Sequence, residues 1–144
     1  MTDIRRLSDR FAAAPQIRPE DMAEIAAAGF GHIVNNRPDS EVGPELAGAA
    51  VEAAARAAGL GYTAIPIDHS GFSAGQVEAL SAVLAGAEKP VLGYCRSGTR
   101  STLLWALAEA AAGRDTAAIL AAAAAAGYDA RPVLPLMARL RPGT

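Results

Sequence analysis

Cysteine is nearly missing from this chain: Cys95 is the only one in 144 residues. One thiol closes no intrachain disulfide, which excludes a disulfide scaffold. The two histidines, His32 and His69, do not make a metal set with it, no metal-ligand spacing occurs, and no metal or cofactor is expected. An excess of charge of one sign is lacking too. Thirteen basic and 15 acidic residues leave a net charge of -2, which advertises neither a nucleic-acid surface nor an anionic membrane as partner. No apolar run reaches the roughly 20 residues of a membrane helix. The opening MTDIRRLSDRF has no apolar core of a secretion signal, so a soluble cytoplasmic protein is expected. Aromatics make up 5% of the chain, and the one tryptophan, Trp105, reads with Leu103, Leu104 and Leu107 as helix core rather than a binding box.

What is present is a chain about half apolar, of a length that suits one domain over residues 1–144. Short β-branched runs alternate with longer alanine-rich helical ones. After an amino-terminal segment, PEDMAEIAAAGF (19–30) has Pro and two acids in its first turn and reads as a helix. GHIVNNRPD holds a strand of about four residues. PELAGAAVEAAARAAGLG begins a second helix at Pro44, and YTAIPI (62–67) is the next strand. Ser73 and Gln76 have capping-box spacing before a helix through Leu84. PVLGY (90–94) is a strand, STLLWALAEAAAG (101–113) a helix, and Asp115 or Thr116 caps a further helix through the alanines 121–126. One short helix is expected between the tail prolines. Strands joined by helices in this rhythm imply an α/β fold with a central, mainly parallel sheet flanked by helices. Ligands of such sheets lie at the carboxyl ends of the strands, where Cys95 stands.

The loop Cys95, Arg96, Ser97, Gly98, Thr99, Arg100 carries the chemistry. Gly98 can take a positive φ, which lets successive amides curl into an anion nest, and the following helix adds its positive end. A thiolate is itself an anion, so these amides with Arg96 and Arg100 should favour the nucleophilic form of Cys95. Two arginines and a glycine make poor core filler. Ser101 either donates to the thiolate or caps its helix. Arg37, in NNRPD, reaches the same mouth as a second substrate cation or is an exposed turn arginine.

Strand, then CRSGTRS, then helix resembles the active-site loop of rhodanese sulfurtransferases, and is one residue short of the C-x5-R-[ST] loop of cysteine-dependent protein phosphatases. The stretches SDRFAAAPQIRPEDMAEIAAAGF, VNNRPDSE, IPIDHSG and YCRSGTRSTLLWAL together resemble a bacterial phosphatase-like domain family of the beta-lactamase hydrolase-like proteins. That family occurs alone or fused to β-lactamase-fold hydrolases and is often filed as sulfur transferase. The resemblance implies a dual-specificity-phosphatase-like fold. Phosphocysteine carries three equatorial oxygens around a wide ring, whereas a persulfide ends in a single anionic sulfur, which a shorter loop suits. Tyr94 stands where such phosphatases usually carry histidine. Asp68, 27 residues before Cys95, is the best candidate for a general acid, Asp39 a weaker one, and either can instead order its own turn.

The leading expectation is thus a sulfurtransferase that forms a Cys95 persulfide, acting on a small sulfur-bearing substrate and passing the sulfur to cyanide or a thiol, an acceptor thiol protein included. The alternative is a phosphatase acting on a phosphorylated substrate through a Cys95 phosphocysteine, with Arg100 on the equatorial oxygens and Asp68 protonating the leaving group. A third reading is an oxyanion-binding or redox-sensing module.

Overall fold

Five short strands form one sheet in a computed structural model that describes residues 2–143. In chain order they are β1 (Arg5–Arg6), β2 (Phe11–Ala14), β3 (His32–Asn35), β4 (Gly61–Ala64) and β5 (Val91–Tyr94). Their order across the sheet is β1-β2-β5-β3-β4, with β1 antiparallel to β2 and every other neighbour parallel. The helices are α1 (Met22–Ala27), α2 (Gly48–Ala57), α3 (Ala74–Gly86), α4 (Thr99–Ala111), α5 (Thr116–Ala125) and α6 (Leu134–Leu140). The α/β class with a mainly parallel sheet is the one expected.

The two faces of the sheet are buried by different sets of helices. On one, Phe11, Ala13, Val34 and Val91 pack with Leu104, Trp105 and Leu107 of α4, with Leu80 of α3, and with Ile119 and Met137 of α5 and α6. On the other, Ile33, Leu92 and Tyr94 pack with Met22 and Ile25 of α1 and Val51 and Ala55 of α2. A sheet covered on both faces explains why β5 reads as a continuous apolar run rather than an alternating one. Trp105 is core, as expected.

The amino-terminal segment holds the largest departure from the sequence reading. Phe11–Ala14 is fully buried and pairs in parallel with β5, one place from the sheet's centre. Alanine has little preference for strands, so the segment carries no strand signal of its own. It is selected by packing. A side chain at Gly93, opposite Ala13, would put its Cβ 2.6 Å from Phe11 Cζ and 3.3 Å from Ser101 Cβ. Small residues at this crossing let α4 lie close on the sheet.

Smaller corrections have local causes. The strand expected over 62–67 ends at Ala64, because Pro66 has no N–H for a ladder. The segment still follows β3, with Ile65 and Ile67 amides donating to the carbonyls of Asn35 and Asn36 at 2.9 and 3.0 Å. The helix expected from Pro19 to its end at Gly29 starts as a 3-10 turn at Pro19–Asp21, and its α-helical part is Met22–Ala27. The helix expected from Pro44 is a 3-10 turn at Pro44–Leu46, broken by extended Ala47, and α2 starts at Gly48. Ser73 and Gln76 form the expected box, their reciprocal bonds measuring 3.3 and 2.8 Å. Asp115 rather than Thr116 caps α5, accepting from the Ala118 amide at 3.1 Å. α4 starts at Thr99, two residues before the expected Ser101.

Candidate functional site

Three chain segments leave the carboxyl ends of adjacent strands β2, β5 and β3 and meet at one point. The central one, Cys95–Gly98, is held by both neighbours. The Cys95 amide donates to the Ala14 carbonyl at 3.4 Å, and the Gln16 amide donates to the Arg96 carbonyl at 3.2 Å. On the other side the Asn36 amide donates to the Tyr94 carbonyl at 2.8 Å. From below, the Tyr128 hydroxyl donates to the Ser97 carbonyl at 3.0 Å. Gly98, with φ 92° and ψ -8°, turns the chain into α4 as its N-cap. This is the positive φ that a glycine here was expected to be free to take.

Cys95 is buried, and the Gly98 amide donates to its Sγ at 3.1 Å. The Thr99 amide donates to Ser97 Oγ at 3.3 Å, and Ser97 Oγ donates to Thr99 Oγ1 at 2.9 Å, so these two side chains brace the turn. The amides of Arg96, Ser97, Arg100 and Ser101 have no hydrogen-bond partner among the described residues. Donors left unpaired at the start of a helix are what an anion would fill.

Ser101 does not donate to the sulfur. It is fully buried, and its Oγ donates to Asn36 Oδ1 at 2.7 Å. Asn36 Nδ2 in turn donates to the Ile65 carbonyl at 2.9 Å. Ser101 therefore ties the first turn of α4 to the loop after β3. Neither proposed role, thiolate donor or side-chain cap, describes its bonding.

The arginines are arranged around a residue the sequence reading did not single out. Glu41 accepts from both Nη atoms of Arg100, at 2.8 Å each, and from Arg37 Nε at 3.2 Å. Arg100 also donates to the Ile67 carbonyl at 2.8 Å. Arg37 also donates to Gln16 Oε1 and to the Glu41 carbonyl, both at 3.1 Å. Arg37 is thus no free turn arginine. Hydrogen bonds from Arg100 hold the Glu41 carboxyl at about 2, against the opposing effect of burial and with further help from Arg37. The same bonds to Glu41 push Arg100 above its ordinary value despite partial burial, and the nearby charge of Cys95 adds to this. Glu41 lies four residues after Arg37, but Arg37 stands outside any helix, so the spacing carried no helix-face signal.

Arg37, Glu41, Asp68, His69, Arg96 and Arg100 line a shallow depression of about 430 Å³ above the loop. Asp68 therefore borders the mouth, but it also orders its own turn. Its Oδ1 accepts from the Ser70 amide at 2.8 Å and from Ser70 Oγ at 2.6 Å. Those bonds, the hydroxyl's first, hold the Asp68 carboxyl below the usual carboxylate range. Asp39 accepts from the Gly48 amide at 2.8 Å, at the start of α2. Tyr94 sits beneath the sheet's other face with its hydroxyl unpartnered among the described residues, and burial pushes its pKa well up. That is a core position rather than a catalytic one.

Comparison with known proteins places this arrangement in a family. The profile of the beta-lactamase hydrolase-like protein, phosphatase-like domain, matches residues 3–112. A beta-lactamase hydrolase-like protein of Xylella fastidiosa (strain Temecula1) is 34% identical over 108 residues, 75% of this chain and 25% of that protein. One of Agrobacterium fabrum is 35% identical over 109 residues, 76% of this chain and 25% of that protein. The chain thus spans about a quarter of the length of these relatives. A crystal structure from Neisseria meningitidis Z2491, provisionally called a phosphatase, superposes with a TM-score of 0.79 at 32% identity, covering 97% of each chain. A kinase associated phosphatase shares the fold at a TM-score of 0.74 and 12% identity, covering 100% of this chain and 97% of that one. The chain belongs to the phosphatase-like domain family of the beta-lactamase hydrolase-like proteins.

Proposed function

We propose that this domain is a thiol-dependent sulfurtransferase in which Cys95 carries the transferred sulfur as a persulfide. In the thiolate form, Cys95 attacks the outer sulfur of a donor R–S–SH. A new S–S bond forms as the old one breaks, and the bonding pair leaves with RS⁻; with thiosulfate as donor the leaving group is sulfite. An acceptor thiolate then attacks the outer sulfur of the Cys95 persulfide and expels the Cys95 thiolate. The Gly98 amide, already on Sγ, and the unpaired amides of Arg96, Ser97, Arg100 and Ser101 would hold the terminal anionic sulfur.

The observation that supports this reading is what the two carboxylates at the mouth are bonded to. Glu41 accepts from both Nη atoms of Arg100 and from Arg37, and Asp68 Oδ1 accepts from the Ser70 amide and hydroxyl. Each is engaged as an acceptor by donors of the protein itself. An alkoxide leaving group needs a general acid, whereas RS⁻ or sulfite departs as a stable anion without one. Incubation with glutathione persulfide or thiosulfate should add one sulfur atom to Cys95 by intact mass, and Cys95→Ser should add none. No gain in the wild-type chain would end the proposal.

The fold likeness and the fork of Arg100 favour a second reading, phosphoester hydrolysis through a phosphocysteine. Its signature is turnover of an aryl phosphate that Cys95→Ser abolishes and that Asp68→Asn slows by roughly 10²–10⁴, the loss of a general acid.

A further inference from the structure

Arg100 presents two parallel N–H groups to the Glu41 carboxylate, at 2.8 Å each. A bidentate fork of this kind binds carboxylate and tetrahedral oxyanions in the same geometry, so a ligand's oxyanion and the Glu41 carboxylate would compete for one place. Arg37 is committed to the same carboxylate and to Gln16. Of the three arginines that line the depression, Arg37 and Arg100 are both paired with Glu41 and neither offers an unshared guanidinium face to a ligand; Arg96 has no acidic partner among the described residues. Arg37 and Arg100 are each less than a quarter exposed, and Glu41 is 26% exposed, so solvent screens this pairing only in part.

We propose that Glu41 is the specificity residue of this site, an internal carboxylate that occupies the Arg100 fork and disfavours free tetrahedral dianions. Ligands that need the fork, such as inorganic phosphate, sulfate or thiosulfate, must first displace it. A persulfide or polysulfide does not, because its charge rides on one terminal sulfur that the loop amides can take alone. The preferred donor class is therefore an organic persulfide rather than an inorganic oxyanion. The donor assignment rests on the sulfurtransferase reading, but the competition at Arg100 rests only on the loop binding anions.

Calorimetric titration of the full chain with inorganic phosphate at fixed ionic strength tests the competition apart from any chemistry. Glu41→Gln keeps the shape and removes the charge, and it should bind phosphate about tenfold more tightly than the wild type. Glu41→Asp, which keeps the charge, should stay near wild type. Equal or weaker binding by Glu41→Gln would overturn the proposal, because a carboxylate that only positions Arg100 predicts that result. The wild-type chain gives a measure that needs no variant: saturating phosphate should move the Glu41 carboxyl carbon resonance as the ion pair opens. An unmoved resonance in a chain that binds phosphate at the loop would also refute it. If no form binds phosphate, the competition is refuted, while persulfide formation on Cys95 still reports separately on the sulfurtransferase reading. For the donor class, Glu41→Gln should lower the KM for thiosulfate about tenfold and leave that for glutathione persulfide unchanged. Equal changes for both donors would refute the assignment.

Discussion

Replacing Gly98 by alanine tests whether the loop's shape, rather than its sequence alone, makes the site. At φ 92° and ψ -8° an L-residue is strained by about 1–2 kcal/mol. The added Cβ also has nowhere to go. It would collide with the Tyr128 hydroxyl oxygen, stand 2.9 Å from Tyr128 Cζ and lie 3.3 Å from the Ala14 carbonyl carbon. Overpacking of this kind costs about 1–3 kcal/mol. The two together predict a loss of about 2–5 kcal/mol, or a fall in Tm of roughly 5–20 °C for a domain of this size. Because the Gly98 amide is the one bonded to Cys95 Sγ, the variant should also lose persulfide formation. The collision has a partner that can be removed. Tyr128→Phe alone forfeits the hydrogen bond to the Ser97 carbonyl, worth about 1 kcal/mol. In the double variant the colliding oxygen is gone, so the combined loss should fall short of the sum of the single losses by about 1 kcal/mol or more. Urea denaturation of the four forms measures this. Additivity within about 0.5 kcal/mol would refute a collision between these two residues.

Three further outcomes are expected. Glu41 titrates at about 2 in the folded chain against an ordinary 4.5, so its stabilising effect is present above pH 4.5 and is lost as pH falls towards 2. The urea midpoint should accordingly decline more steeply between those values in the wild type than in Glu41→Gln. Asn36→Leu leaves the buried Ser101 hydroxyl and Ile65 carbonyl without their partner, and should cost about 2–4 kcal/mol by the same denaturation. Tyr94→Phe removes a buried hydroxyl that has no partner among the described residues, so it should change stability by less than about 0.5 kcal/mol or raise it. A loss above about 1 kcal/mol would show that the hydroxyl is bonded.

Legibility followed the physics of each signal. Strands β3 and β5 and helices α3 and α5 were visible because their periodicity and caps are local properties of the chain. The helices opened by Pro19 and Pro44 were visible in kind, but their first turns are 3-10, which proline tolerates equally well. β2 was not visible, since FAAA becomes a strand only when β5 and α4 enclose it. Within the site, Cys95, Gly98 and Arg100 declared themselves because their spacing along one loop is itself the motif. Glu41 and Asn36 did not. Their partners Arg100 and Ser101 are 59 and 65 residues away, and no local pattern encodes such a pairing.

The sheet order explains why those distant residues meet. β5 is flanked by β2 and β3, both parallel to it, so the chain leaves three adjacent strands at one edge. The first exit supplies Gln16, the second Asn36, Arg37 and Glu41, and the third the cysteine loop. Each clamps the next: Gln16 holds both the Arg96 carbonyl and Arg37, Glu41 joins Arg37 to Arg100, and Asn36 joins Ser101 to Ile65. A loop fixed from both sides pays little entropy when an anion arrives, because its amides are already ordered. By the same logic the charge at the mouth is not the property of the cysteine loop alone. Of the three arginines there, Arg100 is answered by Glu41 from the neighbouring exit and Arg37 by the same carboxylate within its own, and only Arg96, exposed at the rim, has no acidic partner among the described residues. The charge offered around Cys95 is therefore set by the loop after β3 as much as by the loop that carries the thiol.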